Sequence, residues 1–167
     1  MVSIVKFDRW QNTAGTQYSN IIQAQFVSWG TVTSTTVNQS YVTVNGGVLT
    51  ITPYYTGSKF VLMPVCQGYV TSSNGTNIGI DRIVGGTTTR VFGVNGASGD
   101  SWVGAMDNGG SNSYNVCRQW VDSPNVVAGT PITYQVLLGN WTAGTTTVNY
   151  ATNYSPMSSL TVLEIQP

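Results

Sequence analysis

Short runs of β-branched and aromatic residues, separated by glycine and asparagine, fill this sequence from about residue 20 to its end. Runs of about four to eight such residues, bounded by turn-forming residues, are typical of strands in sandwiches and barrels. No segment combines apolar residues at helical spacing with helix-capping residues, and strong helix formers are sparse. The pattern therefore predicts an all-β chain.

Turns rich in glycine and asparagine divide the chain into strands of the length found in sandwiches. Asn45-Gly46-Gly47 and Gly85-Gly86 tolerate the positive backbone angles that tight hairpins require. Further turns are predicted at Asn74-Gly75, Asn95-Gly96, Asn108-Gly109-Gly110, Ser123-Pro124-Asn125, Gly129-Thr130-Pro131 and Ala143-Gly144. The predicted strands lie near 20–28, 31–37, 40–45, 48–52, 59–70, 76–84, 88–94, 101–106, 113–121, 131–140, 145–150 and 159–165.

So many short antiparallel strands in one chain predict an antiparallel two-sheet sandwich of the jelly-roll type. Two sheets that pack face to face bury one side of every strand and protect the sheet edges. The length of 167 residues fits one domain of this kind. We assign residues 19–167 to the sandwich and residues 1–18, where Lys6, Asp8 and Arg9 concentrate charge, to a short N-terminal docking arm.

The segment 59–70 is apolar on both faces of its predicted strand. Phe60 begins one apolar face and Val61 begins the other. We therefore expect one face to lie on the core and the other to be covered by a loop or a partner subunit. Pro64 has no N–H to donate to a neighbouring strand, so it predicts a sheet edge or a bulge at that position.

Ionisable side chains are scarce, and this limits the functions that the chain can perform. The sequence has 6 Lys+Arg, 6 Asp+Glu and no histidine, so that 7% of residues are charged, against about 25% in typical domains. Histidine is the commonest general acid and base, so its absence argues against an enzyme. There is no basic stripe for nucleic acid and no apolar run long enough for membrane insertion.

Near-zero net charge also favours association between protein molecules. The formal net charge of this chain is +0, while 41% of its residues are hydrophobic. We therefore expect the protein to cover apolar surface by packing against identical subunits or against a larger assembly. This composition therefore favours a binding or structural function over catalysis.

The few reactive groups each have a structural explanation that we favour. Asp100, Asp107 and Asn108 supply oxygen atoms suitable for Ca²⁺, but their spacing matches no EF-hand loop and turn capping is favoured. Cys66 and Cys117 are expected to be buried free thiols, with a disulfide as the alternative. No catalytic residue, metal site or cofactor is therefore predicted.

Aromatic side chains are the best candidates for recognition. The chain has 5 Trp and 9 Tyr, and exposed Trp and Tyr often dominate binding surfaces. We expect Trp120 and Tyr134 to lie in the core of the sandwich. Tyr54 and Tyr55 fall in a predicted turn and Trp102 follows a Gly/Ser-rich loop, so these three are predicted to be exposed contact residues.

Several segments resemble structural proteins of tailed bacteriophages, particularly marine, cyanophage-like ones. The resemblance extends over nearly the whole chain, from about residue 10 to residue 166, and its motifs are moderately specific. They are WQNTAGT (10–16), LTITP (49–53) followed by Ser58-Lys59, GASGDSW (96–102), DSP (122–124) and LLGNW (137–141).

The resemblance implies a jelly-roll or tumour-necrosis-factor-like sandwich, usually trimeric and exposed on a virion. It implies no catalytic residue, cofactor or metal ligand to carry over to this sequence. Such motifs occur both in tail-fibre tips and in small virion proteins, so the location on the particle is not fixed. Assembly in the bacterial cytoplasm, which the resemblance also implies, would suit reduced cysteines.

Three hypotheses follow for the function. The first is a homotrimeric virion-surface protein that binds the phage capsid as a decoration or cement protein. Because little sequence precedes the sandwich, no fibre shaft is expected, and docking is assigned to the arm residues Lys6, Phe7, Asp8, Arg9 and Trp10.

The second hypothesis is a tail-fibre tip or short-fibre protein that recognises host surface glycan through Tyr54, Tyr55 or Trp102. The third, much less favoured, is a carbohydrate-active enzyme. Its chemistry requires two carboxylates in reach of one bond. The candidate acids for such a pair are Asp81, Asp100, Asp107 and Asp122.

Overall fold

The structure of the chain is a computed structural model in which residues 3–6, 21–37, 40–71, 76–93, 112–140, 144–149 and 157–167 are described. All the regular secondary structure in these described residues is β-strand. The strands are β1 (Ser3–Lys6), β2 (Ile21–Trp29), β3 (Thr33–Thr35), β4 (Ser40–Ile51), β5 (Lys59–Val70), β6 (Thr76–Val84), β7 (Thr87–Phe92), β8 (Asn112–Cys117), β9 (Trp120–Asp122), β10 (Ile132–Asn140), β11 (Thr146–Val148) and β12 (Ser158–Ile165).

The strands form two antiparallel sheets. The larger sheet has the order β1-β2-β12-β5-β11-β3. Strands β12 and β11 pair with successive parts of one edge of β5, and β8 and β9 pair with its opposite edge. The smaller sheet has the order β4-β10-β6-β7. Successive strands repeatedly cross between the sheets, so that β2, β12, β5 and β8/β9 face β4, β10, β6 and β7. This order is that of a jelly roll, and the predicted fold class is confirmed.

The core lies between the inward faces of the two sheets. Tyr134 on β10 is 0% exposed and its ring centroid lies 6.1 Å from that of Phe60 on β5, so the prediction for Tyr134 is confirmed. Full burial of each large apolar side chain stabilises the fold by about 1.5–3 kcal/mol. Other fully buried members are Ile51, Leu62, Ile78, Ile80, Ile132, Val136, Leu138, Leu160 and Val162.

The predicted turn at Asn45-Gly46-Gly47 is wrong. Strand β4 continues through it as one strand from Ser40 to Ile51. Gly46 has a φ of +84°, and a Cβ atom there would lie 2.8 Å from the Cβ of Trp29. The glycine therefore allows the strand to pass closely over a core tryptophan instead of reversing the chain.

The prediction of a sheet edge or a bulge at Pro64 is wrong: β5 has strands on both sides, and the register with β8 and β9 is the same before and after Pro64, so that the ladder is only interrupted there. Strands β8 and β9 replace the single strand predicted over 113–121, and the break between them lies opposite this proline. The backbone N–H of Arg118 donates to the Pro64 carbonyl oxygen at 3.3 Å. In an antiparallel ladder the N and C=O of one residue point to the same neighbour, so the missing N–H of Pro64 faces the break.

Other sequence predictions have mixed outcomes. The Gly85-Gly86 hairpin between β6 and β7 is confirmed, with φ values of +55° and +82°. The chain from Ser3 to Lys6, predicted as part of the arm, forms a strand paired with β2. The predicted strand 101–106 and the turns predicted at 74–75, 95–96 and 108–110 lie outside the described residues.

The prediction that Trp120 lies in the core is wrong, because its side chain is 46% exposed. It belongs to β9, which lies at the edge of the larger sheet in the described part of the chain. Its ring centroid lies 5.6 Å from that of Phe92 on β7, the edge strand of the smaller sheet. Trp120 thus covers the open side of the sandwich with one face and meets solvent with the other.

The prediction of two buried free thiols is right for Cys66 and wrong for Cys117. Both cysteines are free, but Cys66 is buried and Cys117 is exposed. In the register of β5 and β8, Cys66 lies opposite Val116, whereas Cys117 lies opposite Val65. Because successive residues of a strand point to opposite faces, the two sulfur atoms lie on opposite sides of the sheet.

We expect a thiol reagent to modify Cys117 rapidly in the native protein and Cys66 only after unfolding. The thiolate is the reactive form, and burial raises the pKa of Cys66 to about 12. The measurement is a thiol titration with and without denaturant, using Cys117→Ser to identify the fast group. Two fast thiols in the native protein would contradict the assignment of faces.

Candidate functional site

A groove opens where two loops meet beside β2 at one end of the sandwich. The loop that follows β4 is tied to the loop before β10 by three bonds from backbone N–H groups: Gly57 to the carbonyl of Val126 (3.1 Å), Gly129 to that of Pro53 (2.9 Å), and Ala128 to Thr56 Oγ1 (3.1 Å). The groove has a volume of about 560 Å³. The described residues that line it are Gln23, Gln25, Thr52, Pro53, Tyr54, Ala128 and Gly129.

A buried carboxylate holds one wall of this groove in place. Glu164 on β12 is 0% exposed, and its Oε1 accepts from the backbone N–H of Tyr54 at 2.8 Å and from the hydroxyl of Ser58 at 2.6 Å. The N–H of Tyr55 also points to Oε1, at 3.4 Å. The ion pairs described in this structure do not include Glu164, so neutral donors satisfy its buried oxygen atoms.

Two glutamine side chains on β2 form the polar floor of the groove. The Nε2 of Gln23 donates to Glu164 Oε2 at 2.6 Å and to the Thr52 carbonyl oxygen at 2.7 Å. The Nε2 of Gln25 donates to Gln23 Oε1 at 3.3 Å. Gln23 is 4% exposed and Gln25 is 9% exposed. A chain of hydrogen bonds thus runs from the buried acid to the groove.

The predicted contact residues fall in different places. Tyr54 and Tyr55 are 52% and 44% exposed, and Tyr54 lines the groove. Trp102 lies outside the described residues, as do the arm residues Phe7, Asp8, Arg9 and Trp10. Lys6 ends β1, opposite Gln23 in the register with β2. Of the predicted contact residues that the structure describes, Tyr54 therefore lines the groove, and the adjacent Tyr55 is exposed outside its lining.

The sequence analysis did not find Gln23, Gln25 or Glu164. The signal was available, because Leu160, Val162 and Glu164 share one face of β12, so that the acid follows two apolar residues at inward positions. A carboxylate at an inward position of such a strand requires several hydrogen-bond donors nearby. An inward-facing acid therefore points to a local polar cluster even when its partners cannot be named.

A second surface feature is the outer face of the larger sheet. One row of paired residues crosses four strands there: Ala24, Leu163, Val61 and Val121. The next row contains Phe26, Thr161 and Met63. Phe26 is 38% exposed and Val121 is 51% exposed. This set, named here the outer apolar band, includes the second apolar side of β5 that the sequence predicted.

The aspartates considered for catalysis have structural partners. Asp81 accepts from Nε of Arg90 in a short ion pair. Asp122 accepts from an Nη of Arg82 at 2.6 Å and from the Tyr134 hydroxyl at 2.8 Å. Burial first, and then the Asp122 carboxylate, raises the pKa of Tyr134, so its hydroxyl remains a donor. These contacts explain both aspartates without catalysis; Asp100 and Asp107 lie outside the described residues.

Within the described ranges, no three His, Cys, Asp or Glu side chains come together as a set of metal ligands. The same residues contain no helix of the length and apolar character needed to cross a bilayer. Within the described part of the chain, the groove and the outer apolar band are therefore our candidate contact surfaces.

No protein-family model and no curated protein matches the sequence. Solved structures with some likeness include one of infectious bursal disease virus, Gx strain, at 12% identity and a TM-score of 0.36, covering 97% of this chain and 43% of that chain. Another is the VP2 subviral particle of the same virus, at 12% identity and 0.35, covering 98% and 42%.

The chain spans about two fifths of the length of those virus chains. Likeness at this level carries no argument about function. The assignment of the fold depends instead on the strand order β2-β12-β5-β8/β9 facing β4-β10-β6-β7, which is the order of a jelly roll.

Proposed function

We propose that the protein is a non-enzymatic structural component of a virion surface, which assembles as a homotrimer and binds the capsid as a decoration or cement protein. The resemblance to tailed-phage structural proteins and the jelly-roll order support this proposal. Fold alone does not define function, so the proposal depends chiefly on a surface feature of the molecule, the outer apolar band.

The outer apolar band is the observation that carries the proposal. Val61, Leu163 and Val121 lie side by side across three neighbouring strands, with the larger Phe26 and Met63 in the adjacent row. Phe26 and Val121 are exposed, whereas Leu163 and Met63 are partly buried and Val61 is 6% exposed. Exposed apolar side chains on a sheet face mark an interaction surface. With 7% charged residues in the chain, little electrostatic repulsion opposes association between copies. The occupant that we propose is a second copy of this chain.

The oligomeric state tests this proposal. We expect the purified protein to sediment as a trimer at micromolar concentration and Val121→Asp to shift it towards monomer, because a carboxylate within an apolar contact loses its hydration. The matched control is Val127→Asp, since Val127 is 65% exposed but lies in the loop before β10, off the outer apolar band. A wild-type monomer, or equal effects of both substitutions, would reject the proposed self-association.

Location on the particle requires a separate measurement. Cryo-electron microscopy of the parent virion is expected to show density for this protein on the capsid surface. Density at a tail tip and none on the head would favour the alternative, a tail-fibre tip or short-fibre protein that recognises host surface glycan. The exposed Tyr54 at the rim of the groove is the specific observation that supports this alternative.

A further inference from the structure

The groove beside Tyr54 has the composition of a small-molecule site. We infer that it binds a neutral sugar, and this assignment holds whether the protein lies on the head or on the tail of a particle. Its volume of about 560 Å³ falls in the range of about 300–1,000 Å³ typical of ligand pockets. Such pockets combine apolar walls with a few fixed polar groups, and this one does so.

The polar groups of the groove suit hydroxyl groups. An amide side chain offers two N–H donors and a carbonyl acceptor, and a sugar hydroxyl both donates and accepts. The described side-chain hydrogen bond of Gln25 uses one of its donors, to Gln23. Both glutamines are more than nine-tenths buried, so their amides are held in position before a ligand arrives.

The charge around the groove argues for a neutral ligand. The described residues that line the groove are all uncharged. The Glu164 carboxylate lies directly behind Gln23, with 2.6 Å between its Oε2 and the Gln23 Nε2. The described lining offers neither a basic group to pair with an anion nor a carboxylate to contact a cation, whereas its amide and hydroxyl groups can form hydrogen bonds with a neutral ligand. Hydroxyl groups are therefore the ligand chemistry that the groove accommodates.

Tyr54 supplies the apolar wall. Its side chain lines the groove and is 52% exposed, while its backbone N–H is fixed by Glu164 at 2.8 Å. A tyrosine ring combines a large apolar surface with a polar tip, which matches the CH-bearing face and hydroxyl edge of a pyranose ring. Because the loop is already held by Glu164, binding loses little conformational entropy in ordering it.

The test is a binding measurement with defined probes on the full-length protein. Lactose, maltose, cellobiose and N,N′-diacetylchitobiose serve as neutral probes and 3′-sialyllactose as the acidic probe, in saturation-transfer NMR followed by titration. We expect millimolar binding of at least one neutral disaccharide, and weaker binding of the acidic probe. Absence of neutral-disaccharide binding at 20 mM, or tighter binding of the acidic probe, would overturn the inference.

Two variants and one matched control locate the site. Tyr54→Ala and Gln25→Met are each expected to weaken binding about tenfold or more. Tyr55→Ala, which changes an adjacent and similarly exposed tyrosine outside the groove lining, is expected to change binding less than twofold. Tyr54 is a surface residue, so Tyr54→Ala is expected to fold even if Gln25→Met does not. Sugar binding that survives Tyr54→Ala would therefore overturn the assignment.

The oligomeric state of each variant separates this inference from the proposed virion function. Sedimentation velocity on the same samples is expected to give the wild-type oligomer for Tyr54→Ala, because Tyr54 lies outside the outer apolar band. An intact oligomer that binds none of the neutral probes would overturn the sugar site and leave the structural role in place. A monomer that binds them would reject the proposed assembly and keep the site.

Discussion

Replacing Glu164 with alanine is expected to lower the free energy of unfolding by about 2–6 kcal/mol, because at least two buried donors lose their acceptor at about 1–3 kcal/mol each. The substitution would leave the Ser58 hydroxyl and the Tyr54 N–H without their acceptor and would free the Gln23 amide. Each buried donor without a partner costs about 1–3 kcal/mol. Urea unfolding followed by tryptophan fluorescence measures the loss.

Two graded variants show whether the hydrogen bonds are the cause. Ser58→Ala removes one donor and is expected to cost about 1–2 kcal/mol. Glu164→Gln keeps an acceptor for Tyr54 but places an amide N–H₂ towards the Nε2 of Gln23, so its cost should lie between those of Ser58→Ala and Glu164→Ala. An alanine variant within about 1 kcal/mol of the wild type would show that the cluster contributes little net stability.

Local sequence patterns predicted the strands correctly where runs of β-branched and apolar residues are bounded by clear turn residues. The predicted spans 59–70 and 76–84 coincide with β5 and β6, because β-branched runs bounded by turn residues leave little choice of register. The same reasoning failed at Gly46, where an Asn-Gly-Gly sequence is a strong hairpin signal. The packing of Trp29 against that glycine is a tertiary contact, and no local pattern reveals it.

The candidate site was predicted only in part, because its polar cluster depends on topology. The sequence predicted exposure of Tyr54 and Tyr55, and both are exposed. The hydrogen bond between Gln23 and Glu164 joins residues 141 positions apart, and it exists because β12 pairs with β2. Only the strand order brings these two side chains together, so a sequence pattern can indicate the inward acid but not its partners.

The exposure of Trp120 shows the same limit for a core prediction. Its strand was predicted within 113–121 and its inward direction follows from its register opposite Leu62. Whether an inward side chain is covered depends on its distance from the sheet edge, which strand order decides. Tyr134 on β10, with strands β4 and β6 on either side, is fully buried, whereas Trp120 on an edge strand is not.

Replacing Asp122 with alanine is expected to lower the free energy of unfolding by about 3–5 kcal/mol, because it leaves a partly buried charge without its partner. The carboxylate lies 2.6 Å from an Nη of Arg82 and 2.8 Å from the Tyr134 hydroxyl. The side chains of Arg82 and Asp122 are 18% and 7% exposed. Neither Arg82 nor the Tyr134 hydroxyl would regain full hydration after the substitution. Chemical denaturation at neutral pH measures the effect.

The double variant Arg82→Met/Asp122→Ala tests whether the unpaired arginine charge causes this loss. Replacing both partners of a buried ion pair by apolar groups is often nearly neutral, so the double variant should be more stable than Asp122→Ala alone by about 1–3 kcal/mol. Tyr134→Phe, which removes one hydrogen bond and leaves the ion pair, should cost about 1–2 kcal/mol. Additive losses in the double variant would instead attribute the effect to the packing of each side chain, independent of the charge.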